Sequence, residues 1–224
     1  MNIFHYSKTI TLKTSLVTNL FKIFIQPFIL RKNSKKKIRF LEIGPGNSRI
    51  ENFETLNVVK NEVSDFVGDA TNHLPFHDNS FDLVYASHIL EHVPWYQVQK
   101  ILEEWKRVIK PGGYLEIWVP DGLKIAKAFV AAEEGNDNSW QQDNWYRFNE
   151  KHDPGIWFSA RMFSYGDGSG DKKHPNWHLS TFSYRLLEKM LRESGFEEIR
   201  RLTHSECRGF DHGWINMGIR GRKP

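Results

Sequence analysis

Four short runs of this 224-residue chain combine side chains that could do chemistry. Glu42-Ile43-Gly44-Pro45-Gly46 sets a carboxylate beside two glycines just after a β-rich run, where bare backbone lets a ligand approach closely. The longer dinucleotide-binding pattern is absent, since Arg49 stands where its third glycine would be, so alone this run reads as a turn. Gly68-Asp69-Ala70 supplies a second carboxylate, and Ser87-His88 and Pro120-Asp121 place a hydroxyl, an imidazole and a carboxylate after two stronger apolar runs. For proton transfer the pool is His88, Glu91, His92, Asp121, His174 and His178. His88 and Asp121 are favoured because each follows a strand, and His178 because Asn176-Trp177-His178-Leu179-Ser180-Thr181-Phe182-Ser183 returns the chain to the core before a helix. The plainer alternatives are that Glu91 and His92 form the first turn of a helix wall, and that His178 is a contact near a helix start. Asp167, Asp171, His174 and His178 share one loop but have neither the H-E-x-x-H nor the calcium-loop spacing, so no metal site is expected.

The elements that must position these groups alternate. Ile38–Ile43, Thr55–Val59, Phe66–Val67 and Phe81–Ala86 are strand candidates. Residues 95–109 place Val98, Ile101, Leu102, Trp105, Val108 and Ile109 on one helical face, and Pro111-Gly112-Gly113 ends that helix. Tyr114–Val119 is the next strand, Phe182–Arg192 an amphipathic helix stopped by Gly195, and Glu197–Leu202 and Trp214–Ile219 close the sheet. This order predicts an α/β fold with a doubly wound, mostly parallel sheet. Such sheets bind ligands beyond the carboxyl ends of their strands, where the polar and glycine residues above fall.

Composition narrows the function classes. Hydrophobic residues make up 39% and aromatics 14%, which excludes wholesale disorder, and the single cysteine, Cys207, excludes a disulfide scaffold or a cysteine-built zinc site and makes the cytoplasm the default compartment. The net charge of +4 is uneven: residues 1–41 hold nine Lys and Arg and no acid, so the rest is net negative. A nucleic-acid reader's basic face and stacked aromatics are therefore missing from the body, and no DNA partner is expected. The leader, 1–37, reads as a helix over 12–28 stopped or bent by Pro27, followed by a basic linker. Its polar stripe is Ser15, Asn19, Lys22 and Gln26, and its wide apolar arc packs on the body; the alternative is peripheral contact of residues 12–39 with an anionic membrane. Residues 134–177 hold Trp140, Trp145, Trp157 and Trp177 with little periodicity, and read as an inserted cover over the ligand mouth.

The segments Leu41–Gly46, Gly68-Asp69-Ala70 with Leu74-Pro75-Phe76, Asn79–Ser87, Leu90-Glu91-His92 and Arg107–Leu115, in this order and spacing, resemble the class I S-adenosylmethionine-dependent methyltransferases of the type 11 group. The resemblance covers about residues 38–121, and more loosely 178–220, within a domain spanning 38–224, and is similar to the short-looped enzymes of cell-surface polysaccharide synthesis. It implies a Rossmann-like fold, S-adenosyl-L-methionine as cofactor, and methyl transfer by in-line displacement to a small-molecule or glycan acceptor. By position it implies that Glu42, Gly44, Pro45 and Gly46 line the methionine part, with Glu42 near the ammonium. Asp69 would accept from the adenine amine beside the Ala70 backbone, and Ser87 and His88 would lie beneath the sulfonium.

Two departures follow. The usual ribose-binding acid after the second strand is missing, Val59 or Lys60 filling the slot with Glu62 as its nearest substitute. And Gly44 and Asp69 are too close in sequence for full helices after strands 1 and 2, so those helices are truncated and the leader is expected to cover the bared sheet face. Alternative readings are a non-catalytic protein of the same fold with weakened cofactor binding, and an RNA methyltransferase using the basic leader as an arm.

Overall fold

The computed structural model describes residues 16–172 and 174–224. The part of the leader at 1–15, including Leu12 and Ser15 of the expected helix, lies outside them. Seven strands form one sheet: β1 (Phe40–Ile43), β2 (Phe53–Asn57), β3 (Phe66–Val67), β4 (Phe81–Ser87), β5 (Ile109–Pro120), β6 (Glu197–Leu202) and β7 (Asn216–Arg222). Their order is β3-β2-β1-β4-β5-β7-β6. The first five run parallel, and β7 pairs antiparallel with both β5 and β6. The expected α/β sheet is therefore present, with strand order reversing between β1 and β4, where such sheets hold ligands.

The helices are α1 (Gln26–Asn33), α2 (Val98–Val108), α3 (Gly122–Glu133), α4 (Pro154–Phe163) and α5 (Tyr184–Glu193). The spacing of Val98, Ile101, Leu102, Trp105 and Val108 gives α2 one buried face, and the chain turns extended at Ile109, before Pro111 is reached. Leu187 and Leu191 do the same for α5, whose first turn is capped by Ser183 accepting the Leu186 N–H at 3.3 Å. These helices cover one sheet face and enclose the main core, from Leu41 and Ile43 to Phe196 and Ile219.

The other face is thin. The 44–52, 58–65 and 68–80 connections are turns without a helix, so the helices expected to be truncated after β1 and β2 are replaced outright. Phe53, Leu83, Tyr85, Trp118 and Leu202 form a small cluster there. A hollow of about 930 Å³ opens beside Phe40, Phe53 and Glu54, away from the carboxyl ends of the strands.

The leader differs from the sequence expectation. Its helix does not stop at Pro27: residues 16–20 are helical, a π-helical turn spans Phe21–Ile25, and α1 continues to Asn33. Pro27 lies in the first turn of α1, where a missing N–H costs nothing. The polarity is followed only in part: Phe21 of the apolar arc is buried and Asn19 and Lys22 of the polar stripe are exposed, but Gln26 turns inward. Gln26 is buried, donating to the Val67 carbonyl at 3.3 Å and accepting the Val67 N–H at 2.8 Å. Asn33 donates to Glu54 at 3.0 Å inside a buried pair in which Arg39 grips Glu54 through two bonds of 2.8 and 2.9 Å. Ile29 and Leu30 reach the core, but Leu16, Leu20, Ile23, Phe24 and Phe28 are exposed, Phe24 by 72%. No helix among the described residues is long and apolar enough to cross a membrane.

The 134–177 insertion builds a core of its own. Trp140 and Trp157 are fully buried with Ile125 and Ala128 of α3, and Trp157 donates to Asp143 at 2.7 Å.

Candidate active site

The carboxyl ends of β1 and β4 open into a cleft of about 490 Å³, lined by Glu42, Gly44, Pro45, Gly46, Tyr85 and Ser87, with a second wall of Arg208, Gly209, Phe210 and His212. That is the size of a small-ligand site. The Glu42 carboxylate, 7% exposed, accepts the Ile50 N–H at 2.9 Å through one oxygen. Burial pushes its carboxyl above the ordinary range, against the Ile50 bond and the Arg49 charge. Such a group gains from a cation placed beside it.

Both glycines are left-handed, φ +71° at Gly44 and +63° at Gly46, as the tight turn requires. Their surroundings differ. A Cβ on Gly44 would lie 2.1 Å from the Ile89 side chain, so its bareness serves Ile89; a Cβ on Gly46 would meet nothing within 4 Å, so its backbone borders open space.

Tyr85 and the 208–212 segment hold each other. The Tyr85 hydroxyl accepts the Gly209 N–H at 3.2 Å, and burial holds the phenol well above its usual range. Arg208 pairs with buried Glu116 at 2.6 Å. Sequence reasoning missed this wall. Its signals were the Gly209 and Gly213 turns and the Asp211-His212 pair between two strands.

His88 stands just behind the cleft in a left-handed conformation, φ +53°, its N–H bonded to the Trp118 carbonyl at 2.8 Å. Its ring stacks on His212 with centroids 3.6 Å apart, its Nε2 is 3.1 Å from Asn216 Oδ1, and its Nδ1 is 3.1 Å from Glu91 Oε1. Burial, then the charge of His88, lowers the His212 imidazole to about 4.

Other expected residues lie elsewhere. Asp121 is the N-cap of α3, accepting the Lys124 N–H at 3.1 Å, and its other oxygen is 3.2 Å from Arg201; it borders a separate cavity of about 370 Å³. Its carboxylate is thus committed to a helix cap and an ion pair rather than turned to the cleft. His178 is also outside the cleft lining, its Nδ1 3.1 Å from the Arg161 carbonyl. Asp69 is exposed, its oxygens accepting from Thr71 and Asn72, and the Ala70 carbonyl accepts from Trp105 at 3.1 Å. β2 ends at Asn57, whose side chain accepts the Val58 N–H at 2.8 Å, and Glu62 is exposed on the following turn. Neither Asp69, Ala70 nor Glu62 lines the cleft, and no cleft-lining residue comes from 134–177. The insertion expected to cover the mouth packs on α3 instead, and the 208–212 segment forms that wall.

The residues present fit S-adenosyl-L-methionine at its amino-acid end: a buried carboxylate with one bonded oxygen, and an open glycine backbone beside it.

Residues 37–117 match the family model described as a methyltransferase domain, of the type 11 group. A stretch of 77 residues is 31% identical to the sterol 4-C-methyltransferase strm-1 of Caenorhabditis elegans, covering 34% of this chain and 22% of that protein. The chain thus matches only about a fifth of that relative's length. Among solved structures, a SAM-dependent methyltransferase of Thermotoga maritima is 21% identical over 94% of this chain and 96% of its own, with a TM-score of 0.47. One from Methanosarcina mazei is 19% identical over 86% of this chain and 96% of its own, with a TM-score of 0.48.

Proposed function

We propose that this chain, with a class I methyltransferase domain over residues 37–117, transfers a methyl group from S-adenosyl-L-methionine to a small-molecule acceptor in the cytoplasm. The observation that carries this reading is the cleft at the strand-order reversal, where Glu42, Gly46 and Ser87 meet. When bound, the cofactor supplies an electrophilic methyl group on a sulfonium. Glu42 pairs with its ammonium, and Gly44, Pro45 and Gly46 shape the turn against it. Asp69 and Ala70 would serve the adenine end, and Asn57 or Glu62 the ribose, from the turns after β2 and β3. His88, reached through His212, takes the acceptor's proton, whereas Asp121 and His178 act on structure. A glycan remains an alternative acceptor: of the insertion's tryptophans, Trp140 and Trp157 are buried and present no face to a sugar, whereas Trp145 and Trp177 are half-buried.

Calorimetry with S-adenosylhomocysteine tests the reading. Binding that Gly46→Val abolishes supports it. No binding at millimolar ligand favours the non-catalytic alternative, and RNA binding whose salt dependence disappears when Lys35, Lys36 and Lys37 lose their charge favours the RNA enzyme.

The leader adds a location. Leu16, Leu20, Ile23, Phe24 and Phe28 form an exposed apolar face beside Lys22, Arg31, Lys32 and Lys35–Lys37, the combination that settles on an anionic lipid surface. Sedimentation with anionic vesicles, lost in Phe24→Glu/Phe28→Glu, supports it; equal sedimentation with neutral vesicles counts against it.

A further inference from the structure

Behind the cleft lies a group of side chains that the cofactor site does not use. Glu91 sits in the 3-10 turn Leu90–His92 and is only 2% exposed. Neither of its carboxylate oxygens has a hydrogen-bond partner among the described residues. His88 Nδ1 stands 3.1 Å from Oε1, close enough for a charge contact. An ionised carboxylate with too few partners is among the most expensive groups to bury. Something of opposite charge belongs beside it.

Two imidazoles converge on the same point. His92 comes from the turn that carries Glu91, and His178 from the segment where the chain returns after the insertion. One donor atom from each of the three groups lies within 4.8 Å of the other two. The two rings meet edge to face, centroids 5.1 Å apart at 61°. Each is held by a main-chain carbonyl: His92 Nδ1 is 3.2 Å from Trp177 O, and His178 Nδ1 is 3.1 Å from Arg161 O. A carbonyl only accepts, so each Nδ1 carries the hydrogen and each Nε2 keeps its lone pair. This is the tautomer and the outer-carbonyl arrangement found for histidines that ligate metals.

We propose that Glu91, His92 and His178 bind a divalent first-row transition-metal cation of the zinc class. Two imidazole nitrogens and one carboxylate oxygen suit such an ion, whereas magnesium and calcium prefer oxygen-only shells. Three protein ligands leave a further position for water. Glu91 Oε1 also stands 3.1 Å from His88 Nδ1. The frame does not depend on the ion, because the main-chain carbonyl of Glu91 already accepts the Leu179 and Ser180 N–H groups at 2.7 and 3.1 Å. A cavity of about 10 Å³ adjoins the group, bounded by Glu91, Arg161, His178 and Thr181. The Arg161 charge that borders it is already answered by Asp143. The ion ties the return of the Trp-rich insertion to the turn after β4. Its binding is read out separately from methyl transfer.

The test uses the full chain, stripped with a chelator and titrated with Zn²⁺ alone by calorimetry, with Mg²⁺ and Ca²⁺ as controls. Co²⁺ in place of zinc reports the donor set through its visible absorption. The expected result is one Zn²⁺ per chain, a higher melting temperature with zinc, and no binding of Mg²⁺ or Ca²⁺. His92→Ala and His178→Ala each weaken zinc affinity by more than the roughly 10- to 100-fold that losing an orienting partner costs. His77→Ala, on an exposed surface, leaves it unchanged. Circular dichroism of each variant separates loss of a ligand from loss of fold, and Glu91→Gln serves as a third variant if one histidine change unfolds the chain. Absence of stoichiometric zinc binding overturns the proposal, as does binding that folded His92→Ala and His178→Ala proteins retain; the neighbouring imidazoles alone then answer the Glu91 charge.

Discussion

Replacing Glu42 by glutamine is expected to move stability and cofactor affinity in opposite directions. The side chain is 7% exposed, and burial raises its carboxyl above 4.5 despite the Ile50 bond. In the free protein, therefore, the charge is a burden. A carboxyl whose folded pKa is raised binds protons more readily folded than unfolded. Stability then grows as pH falls through the raised value toward 4.5, and the full cost is present above it. Glutamine keeps an oxygen for the Ile50 N–H and removes the charge, so at pH 7 the melting temperature of Glu42→Gln equals or exceeds the parent's, and the two converge as pH falls toward 4.5. Binding loses a charge-assisted contact to the ligand ammonium, about 1.5–3 kcal/mol, or roughly 10- to 150-fold in affinity. Thermal melts from pH 4 to 8 and calorimetry with S-adenosylhomocysteine read the two effects. Unchanged affinity, or a lower melting temperature at pH 7, refutes the reasoning.

Other outcomes follow from buried polar contacts. Arg39→Met strands the Glu54 charge and lowers unfolding free energy by about 3–5 kcal/mol in urea melts, while Arg39→Met with Glu54→Leu recovers most of it. Gln26→Ala removes both bonds to Val67 and costs about 2 kcal/mol by the same measurement. His212, held near 4 by burial first, is neutral in the folded chain, so unfolded chains take up its proton between pH 6.5 and 4 and stability falls with pH across that window. His212→Asn flattens that part of the profile, read as the difference between paired melts; an identical slope counts against the assignment.

The sequence revealed the elements whose periodicity is their packing. α2 exposes its pattern because it buries one regular set of side chains, and β4 reads as an apolar run because it is buried on both faces of the sheet. α3 and α4 were hidden in stretches without such a pattern, although Asp121-Gly122 and Asp153-Pro154 were legible start signals: each aspartate accepts an N–H of the first turn. The leader misled because amphipathicity tells which faces differ, not which face turns inward. Here Gln26 and Asn33 find their partners 41 and 21 residues away. At the cleft, the glycine turn and Ser87 followed from strand ends, but the opposite wall comes from a connection between β6 and β7 whose position depends on the antiparallel return of the chain.

Val67 lies on the outermost strand of the sheet, beyond which its main chain would offer an N–H and a carbonyl to any extended peptide that came alongside. The Gln26 amide occupies both, standing in for one residue of an eighth strand. A chain clipped after residue 26, or one whose leader has lifted away, would uncover that ladder and recruit its neighbours into a continuous sheet.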